Sequence, residues 1–126
     1  MVKVLIPSGA LGLGYDRAAL ARGIAQKSDI IAIDGGSTDS GPHYLGTGTS
    51  KYSRNSTKAE WRELMAARAQ AGVPLVIGTA GTCGADDAVD WLAEITREIA
   101  AETGETLRLA ILKSGQDNQI MIAALH

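Results

Sequence analysis

Asp34, Asp39 and His43 fall on one short stretch, interleaved with glycines and hydroxyl side chains. Two carboxylates and an imidazole so close together can serve as acid and base, hold a cation, or grip the hydroxyls of a substrate. Asp34 closes the apolar run Asp29-Ile30-Ile31-Ala32-Ile33 and opens the loop Asp34-Gly35-Gly36-Ser37-Thr38-Asp39. A carboxylate at that point is also a turn-former, accepting the N–H groups of Gly36, Ser37 and Thr38. His43 has no H-x-x-x-H or His/Cys companion, which argues against zinc. These residues specify neither a metal nor a cofactor.

Two further loops repeat the pattern of an apolar run emptying into glycines. Val2-Lys3-Val4-Leu5-Ile6-Pro7 leads into Ser8-Gly9-Ala10-Leu11-Gly12-Leu13-Gly14, and Pro74-Leu75-Val76-Ile77-Gly78 leads into Thr79-Ala80-Gly81-Thr82-Cys83-Gly84. The first loop, lying between a strand and a helix, offers backbone N–H groups to an anion at Ser8, Gly9, Gly12 and Gly14. It lacks G-x-G-x-x-G order and the Lys-Ser/Thr of a P-loop. Arg17, just inside the helix, is placed to neutralise a carboxylate or phosphate, and Asp16 to cap. In the third loop Thr79, Gly81 and Thr82 form an anion nest. Cys83 reads as a small apolar filler rather than a nucleophile, since no histidine is placed beside it. Lys51 and Arg54 sit among hydroxyls in Gly46–Arg54, a mixture that suits an anionic tail.

Loops of this kind need strands to hold them. Short apolar runs bounded by turn residues read as strands of a parallel sheet, whose following loops gather at one edge. Helical spacing over Tyr15–Lys27, a capping-box pair at Thr57 and Glu60 before Trp61, Leu64 and Met65, and the stripe Val89, Leu92, Ile95, Ile99 supply the crossovers. Gly72 and Gly104 end the second and third helices, and Asp86 or Asp87 caps the third. Leu107–Leu112 reads as a fourth strand, and Ile120–Leu125 as a last helix. Asp34–Asn55 reads as one long loop. The predicted architecture is α/β: a Rossmann-like three-layer sandwich, its mostly parallel sheet of about four strands covered by helices on both faces.

The bulk properties agree with one such domain over residues 1–126. Net charge is −2 without a basic run, which excludes a nucleic-acid surface. No apolar stretch reaches the roughly 18 residues of a membrane span. A single cysteine forms no internal disulfide, and a cytoplasmic location is expected. The apolar run at Ile120–Leu125 suggests the N-terminal part of a longer protein, or a subunit of a homo- or hetero-oligomer.

Three blocks carry a family resemblance: Pro7–Tyr15, Ile33–Gly48 and Pro74–Gly81. In order and spacing the chain resembles the N-terminal part of the acyclic-terpene-utilisation (AtuA-like) family. That resemblance implies degradation of branched acyl compounds, hence a small anionic substrate, a carboxylate or acyl-CoA. A weaker resemblance links Ile31–Thr38 to the first phosphate motif of sugar kinases, which would imply ATP and magnesium on a β-hairpin. The expectation is an enzyme domain, a lyase or hydratase acting on a small hydroxy-acid or acyl-CoA. Asp34, Asp39 and His43 are its acid–base candidates, and the ligand is bound by Ser8, Gly9, Gly12, Gly14, Gly35, Gly36, Ser37, Thr38, Thr79, Gly81 and Thr82. The competing expectation is a non-catalytic ligand-binding or assembly subunit.

Overall fold

A computed structural model describes residues 1–36 and 40–125. Its elements, in order, are β1 (Val4–Leu5), α1 (Arg17–Ala25), β2 (Ile30–Asp34), α2 (Gly41–Thr47), α3 (Arg54–Ala71), β3 (Leu75–Gly78), α4 (Asp86–Thr103) and α5 (Asn118–Ala124), with a 3-10 turn at Ala80–Thr82 before α4. The sheet has three strands in the order β1-β2-β3, all parallel. The expected fourth strand is not part of it. Leu107–Leu112 forms no regular element and makes no ladder with β3, and Leu109 and Ile111 remain partly exposed beside α4. Apolar alternation can specify an extended segment, but a strand also needs a partner edge in register.

Alternation along the strands decides which face is covered. Ile31 and Ile33 are buried with Leu20 of α1, Trp61 and Leu64 of α3, and Leu92, Ile95 and Ile99 of α4. Leu5, Leu75 and Ile77, in register with them, pack against the same cluster. Ile30, Ala32, Val4 and Val76 share the opposite face, where Val4 is 54% and Val76 48% exposed. The helices α1, α3 and α4 therefore form one layer on one side. The three-layer expectation is corrected to two layers among the described residues. For α1 and α3 the reason is topological, since consecutive parallel strands joined by right-handed crossovers put their crossover helices on the same face, and α4, which follows β3, packs against α3 there.

The helix boundaries follow their caps. Asp16 caps α1, its Oδ1 accepting from Ala18 N at 2.8 Å and Ala19 N at 3.1 Å. Ser53, not Thr57, caps α3, accepting from Ser56 N at 3.1 Å, so that helix starts a turn earlier than expected. Ala85 is the cap position of α4; Asp86 and Asp87 lie in its first turn, where the helix dipole favours them. Asp34–Asn55 is not all loop, because α2 forms within it, with Pro42 in its first turn.

Where α3 meets α4, a buried polar link joins two apolar stripes. Trp61 Nε1 donates to Thr96 Oγ1 at 2.9 Å, and Thr96 Oγ1 donates to Leu92 O at 2.8 Å. Around this core Lys58 reaches Glu98 at 2.9 Å and Glu102 at 2.7 Å, while Arg54 pairs with Glu98 and Arg62 with Glu102. Hydrogen bonds from Arg54 and Lys58 hold the Glu98 carboxyl down to about 2.

Thr96→Val leaves the buried indole N–H of Trp61 without an acceptor and is expected to lower stability by about 1–3 kcal/mol, read from urea midpoints at unchanged slope. Glu98→Gln gives a pH test. The Glu98 pKa is depressed on folding, so its ion pairs stabilise the fold above the ordinary value of 4.5 and are lost as pH falls toward about 2. The parent is expected to exceed Glu98→Gln in stability at pH 7, and this difference should vanish in denaturant titrations near pH 2.

Candidate functional site

The strands end at Leu5, Asp34 and Gly78, so all three glycine-rich loops leave the same edge of the sheet. Backbone bonds join them side by side. Leu11 N donates to Asp34 O at 2.8 Å, Gly35 N to Gly78 O at 2.6 Å, and Thr82 N to Gly35 O at 3.2 Å. The three loops therefore meet along one rim, through Leu11, Asp34, Gly35, Gly78 and Thr82. Close approach explains the glycine at 36: a Cβ there would lie 2.1 Å from Thr82 O. Gly35 and Gly36 serve the contact between loops as much as any ligand.

Asp34 is half-buried and braces the rim. Its Oδ1 accepts from Gly36 N at 2.9 Å and from the Thr79 hydroxyl. Among the described residues no hydrogen bond reaches its Oδ2. By register, Asp34 belongs with Ile30 and Ala32 on the open face, on the side away from the helix layer.

Strain gathers in the third loop, which holds two of the described non-glycine residues at positive φ; Lys27, at φ 55°, is another. Thr79 has φ 48° and Thr82 φ 86°, with Gly81 at 67° between them. A β-branched residue is a true outlier there, at a cost on the order of 1–3 kcal/mol each. Thr82 is buried, and its hydroxyl accepts from Lys51 N at 3.0 Å and pairs with Ser50 Oγ at 3.2 Å. Lys51 is thereby fixed at the rim, its ammonium 5.8 Å from the Tyr52 ring centroid.

The first loop departs from the anion-nest expectation. Gly12 N donates to Glu60 Oε2 at 2.6 Å and Gly14 N to Glu60 Oε1 at 2.9 Å. A carboxylate of α3 therefore holds the N–H groups expected to meet a ligand. Gly12, at φ +100°, also lies under the Tyr52 ring, where a Cβ would approach within 2.5 Å. Ser8 Oγ donates inside its own loop, to Ala10 O at 3.3 Å or Gly14 O at 3.2 Å, and Gly9 is exposed. Glu60 was expected to complete a capping box; its distance along the chain from Gly12 left no local signal of this role. Arg17 is likewise not free for a ligand: it pairs with Glu63 at 2.8 Å, and Tyr15 donates to Glu63 at 2.7 Å. Burial, followed by the Glu63 contact, pushes the Tyr15 phenol well up, while Arg17 and Tyr15 hold the Glu63 carboxyl down.

His43 lies exposed on α2, stacked edge-on with Tyr44 at 4.9 Å between ring centroids, and no hydrogen bond among the described residues joins it to Asp34. Ser37, Thr38 and Asp39 lie outside the described residues. Among those described, no cluster of three His, Cys, Asp or Glu side chains could hold a metal ion. The kinase-type phosphate motif requires a hairpin, whereas β2 is followed by α2 and all its ladders are parallel. Two grooves lie away from the rim, one of about 420 Å³ beside Arg97, Leu107 and Ile111, the other of about 390 Å³ between α1 and α3. No helix among the described residues is long and apolar enough to cross a membrane. No family model, curated protein or solved structure matches the chain.

Glu60→Ala would leave the Gly12 and Gly14 N–H groups without their acceptor. The expected outcome is a loss of about 1–2 kcal/mol, toward the lower end for partly exposed charge-assisted bonds, with faster amide exchange confined to residues 9–15.

Proposed function

We propose that this chain is the ligand-binding α/β module of an enzyme acting on a small hydroxy-acid or acyl-CoA, with Asp34 as its acid–base group. The observation that carries this reading is the strain at Thr79 and Thr82, on the loop that touches Asp34 at the C-terminal edge of a parallel sheet. Strain of that kind persists where a backbone must be held for use, and this edge is where parallel sheets bind ligands. In the proposed roles Asp34 Oδ2 exchanges a proton with the substrate, while Thr79, Gly81 and Thr82 present hydroxyl and amide groups to its anionic end. Lys51, fixed by Thr82, adds a positive charge. Gly12 and Gly14 contribute by anchoring the rim through Glu60. Asp39 and His43 stay as the further acid–base candidates of this reading, and Ser37 and Thr38 as ligand-binding ones.

The reaction class proposed is a lyase or hydratase, since removal or addition of water beside a carboxylate or thioester asks for one acid–base group and an anion nest. The likeness of the three sequence blocks to the AtuA-like family supports an acyl substrate. The finer architecture proposed is Rossmann-like, with a third layer supplied over the open face.

A second reading, a non-catalytic subunit, is favoured by one specific observation: the described polar groups of the rim largely satisfy one another. A single experiment separates the two. Short hydroxy-acids and acyl-CoA thioesters are screened against the chain by amide chemical shifts, and a bound member is assayed for turnover. Shifts are expected at Asp34, Gly36, Thr79 and Thr82. Asp34→Asn keeps an acceptor oxygen for Gly36 and Thr79, so the fold is retained. Turnover should fall about 10²–10⁴-fold with binding changed less than tenfold. Binding with no turnover in the parent supports the subunit reading, and an Asp34→Asn variant as active as the parent removes the catalytic role.

A further inference from the structure

The open face of the sheet and the last helix each leave apolar side chains uncovered. On the face, Val4 is 54% and Val76 48% exposed, and Ile6, just beyond β1, is 66% exposed. On α5, none of whose residues is buried, Ile120, Met121, Ile122 and the adjoining Leu125 are each at least half exposed. Single exposed aliphatic residues need no explanation, but a contiguous strand face and an entire helix do.

The chain cannot satisfy both surfaces by folding α5 onto its own sheet without releasing it first. Lys113 Nζ holds Asp90 Oδ2 at 2.6 Å and Gly115 N donates to Asp86 Oδ1 at 3.0 Å, tying the segment before α5 to the first turn of α4. That helix lies on the covered side. From Gly115 to Asn118 the backbone spans at most about 11 Å. Crossing from a helix layer to a helix on the far face of a sheet takes two layer spacings, roughly 20 Å. A second copy has no such restriction.

We propose that two copies of this chain associate by exchanging their last helices, α5 of each lying across the open sheet face of the other. Each copy offers both surfaces, so one two-fold axis satisfies both contacts and the assembly closes as a dimer. The area is sufficient. At on the order of 100 Å² for a fully exposed aliphatic side chain, the seven named residues leave roughly 400 Å² of apolar surface per copy. That matches the apolar part of a standard interface of about 800 Å² per partner. The face ends at Asp34, so the incoming helix would also lie beside that carboxylate. The dimer does not depend on which ligand the rim takes.

Sedimentation equilibrium of the full chain tests this, alongside Val76→Glu on the face and Ile122→Glu on α5. Both sites are half exposed, so far-ultraviolet circular dichroism is expected to be unchanged. The parent should dimerise with a Kd of about 10 μM or tighter, and each variant at least tenfold more weakly. Mixing the two variants should give more association than either alone, because Val76→Glu keeps a sound helix and Ile122→Glu a sound face. The proposal is overturned by a parent that stays monomeric at about 100 μM, by Ile122→Glu dimerising as well as the parent, or by a mixture no more associated than its components. Equal dimerisation of Ile122→Glu would identify a face-to-face contact without the helix.

Discussion

Three parallel strands in consecutive order, joined by right-handed crossovers, can place their helices on one face only. Most of this molecule follows from that constraint. The covered face collects Ile31, Ile33, Leu64, Leu92, Ile95 and Ile99 into one core. The other face keeps β-branched and small apolar residues in partial contact with water. Because every strand runs the same way, the three loops after them have no choice but to meet at one edge. The core, the rim and the open face are three consequences of a single strand order.

Much of this was legible locally. β2 and β3 were marked by short apolar runs that stop at Asp34 and Gly78, and α4 by Val89, Leu92, Ile95 and Ile99 at helical spacing. Gly72 and Gly104 were readable as helix stops because both take the left-handed conformation, at φ 69°. What could not be read was whatever depends on a distant partner. Leu107–Leu112 has the alternation of a strand, yet pairing is decided by the free edge of β3 rather than by the segment itself. Ser53 outcompetes Thr57 as the cap because its hydroxyl reaches Ser56 N, and the Glu60 carboxylate is drawn to two amides of the first loop. Local motifs of caps and turns describe what a residue can do; tertiary contacts decide which of those options is used.

The same competition shapes the rim. A loop that presents amides at the end of a strand attracts any nearby carboxylate, and Glu60 satisfies the first loop from inside the protein. Asp34 does related work between the second and third loops through one oxygen. This division is useful. A rim held by its own hydrogen bonds is preorganised, so little ordering free energy is lost when a ligand arrives. Within the described rim the non-glycine residues at positive φ are Thr79, which bonds Asp34, and Thr82, whereas Gly12 and Gly14 take positive φ at little cost. Any ligand proposed for the rim would therefore meet the second and third loops rather than the first.

The direction of Asp34 ties the rim to the open face. Residues 30, 32 and 34 alternate onto the side away from the helix layer, so the carboxylate stands at the border between loops and bare sheet. In its present surroundings that border is wet on one side. Water there screens the charge of Asp34 and competes for every donor near it, which would weaken the proton transfer and anion binding proposed for the rim. A layer placed over Val4, Ile30, Ala32 and Val76 would remove that water from one side of Asp34 while burying the exposed strand face. Covering the sheet and drying the surroundings of the proposed acid–base group would then be the same physical event, so the apolar residues beside Asp34 would bear on its proposed chemistry without touching a substrate.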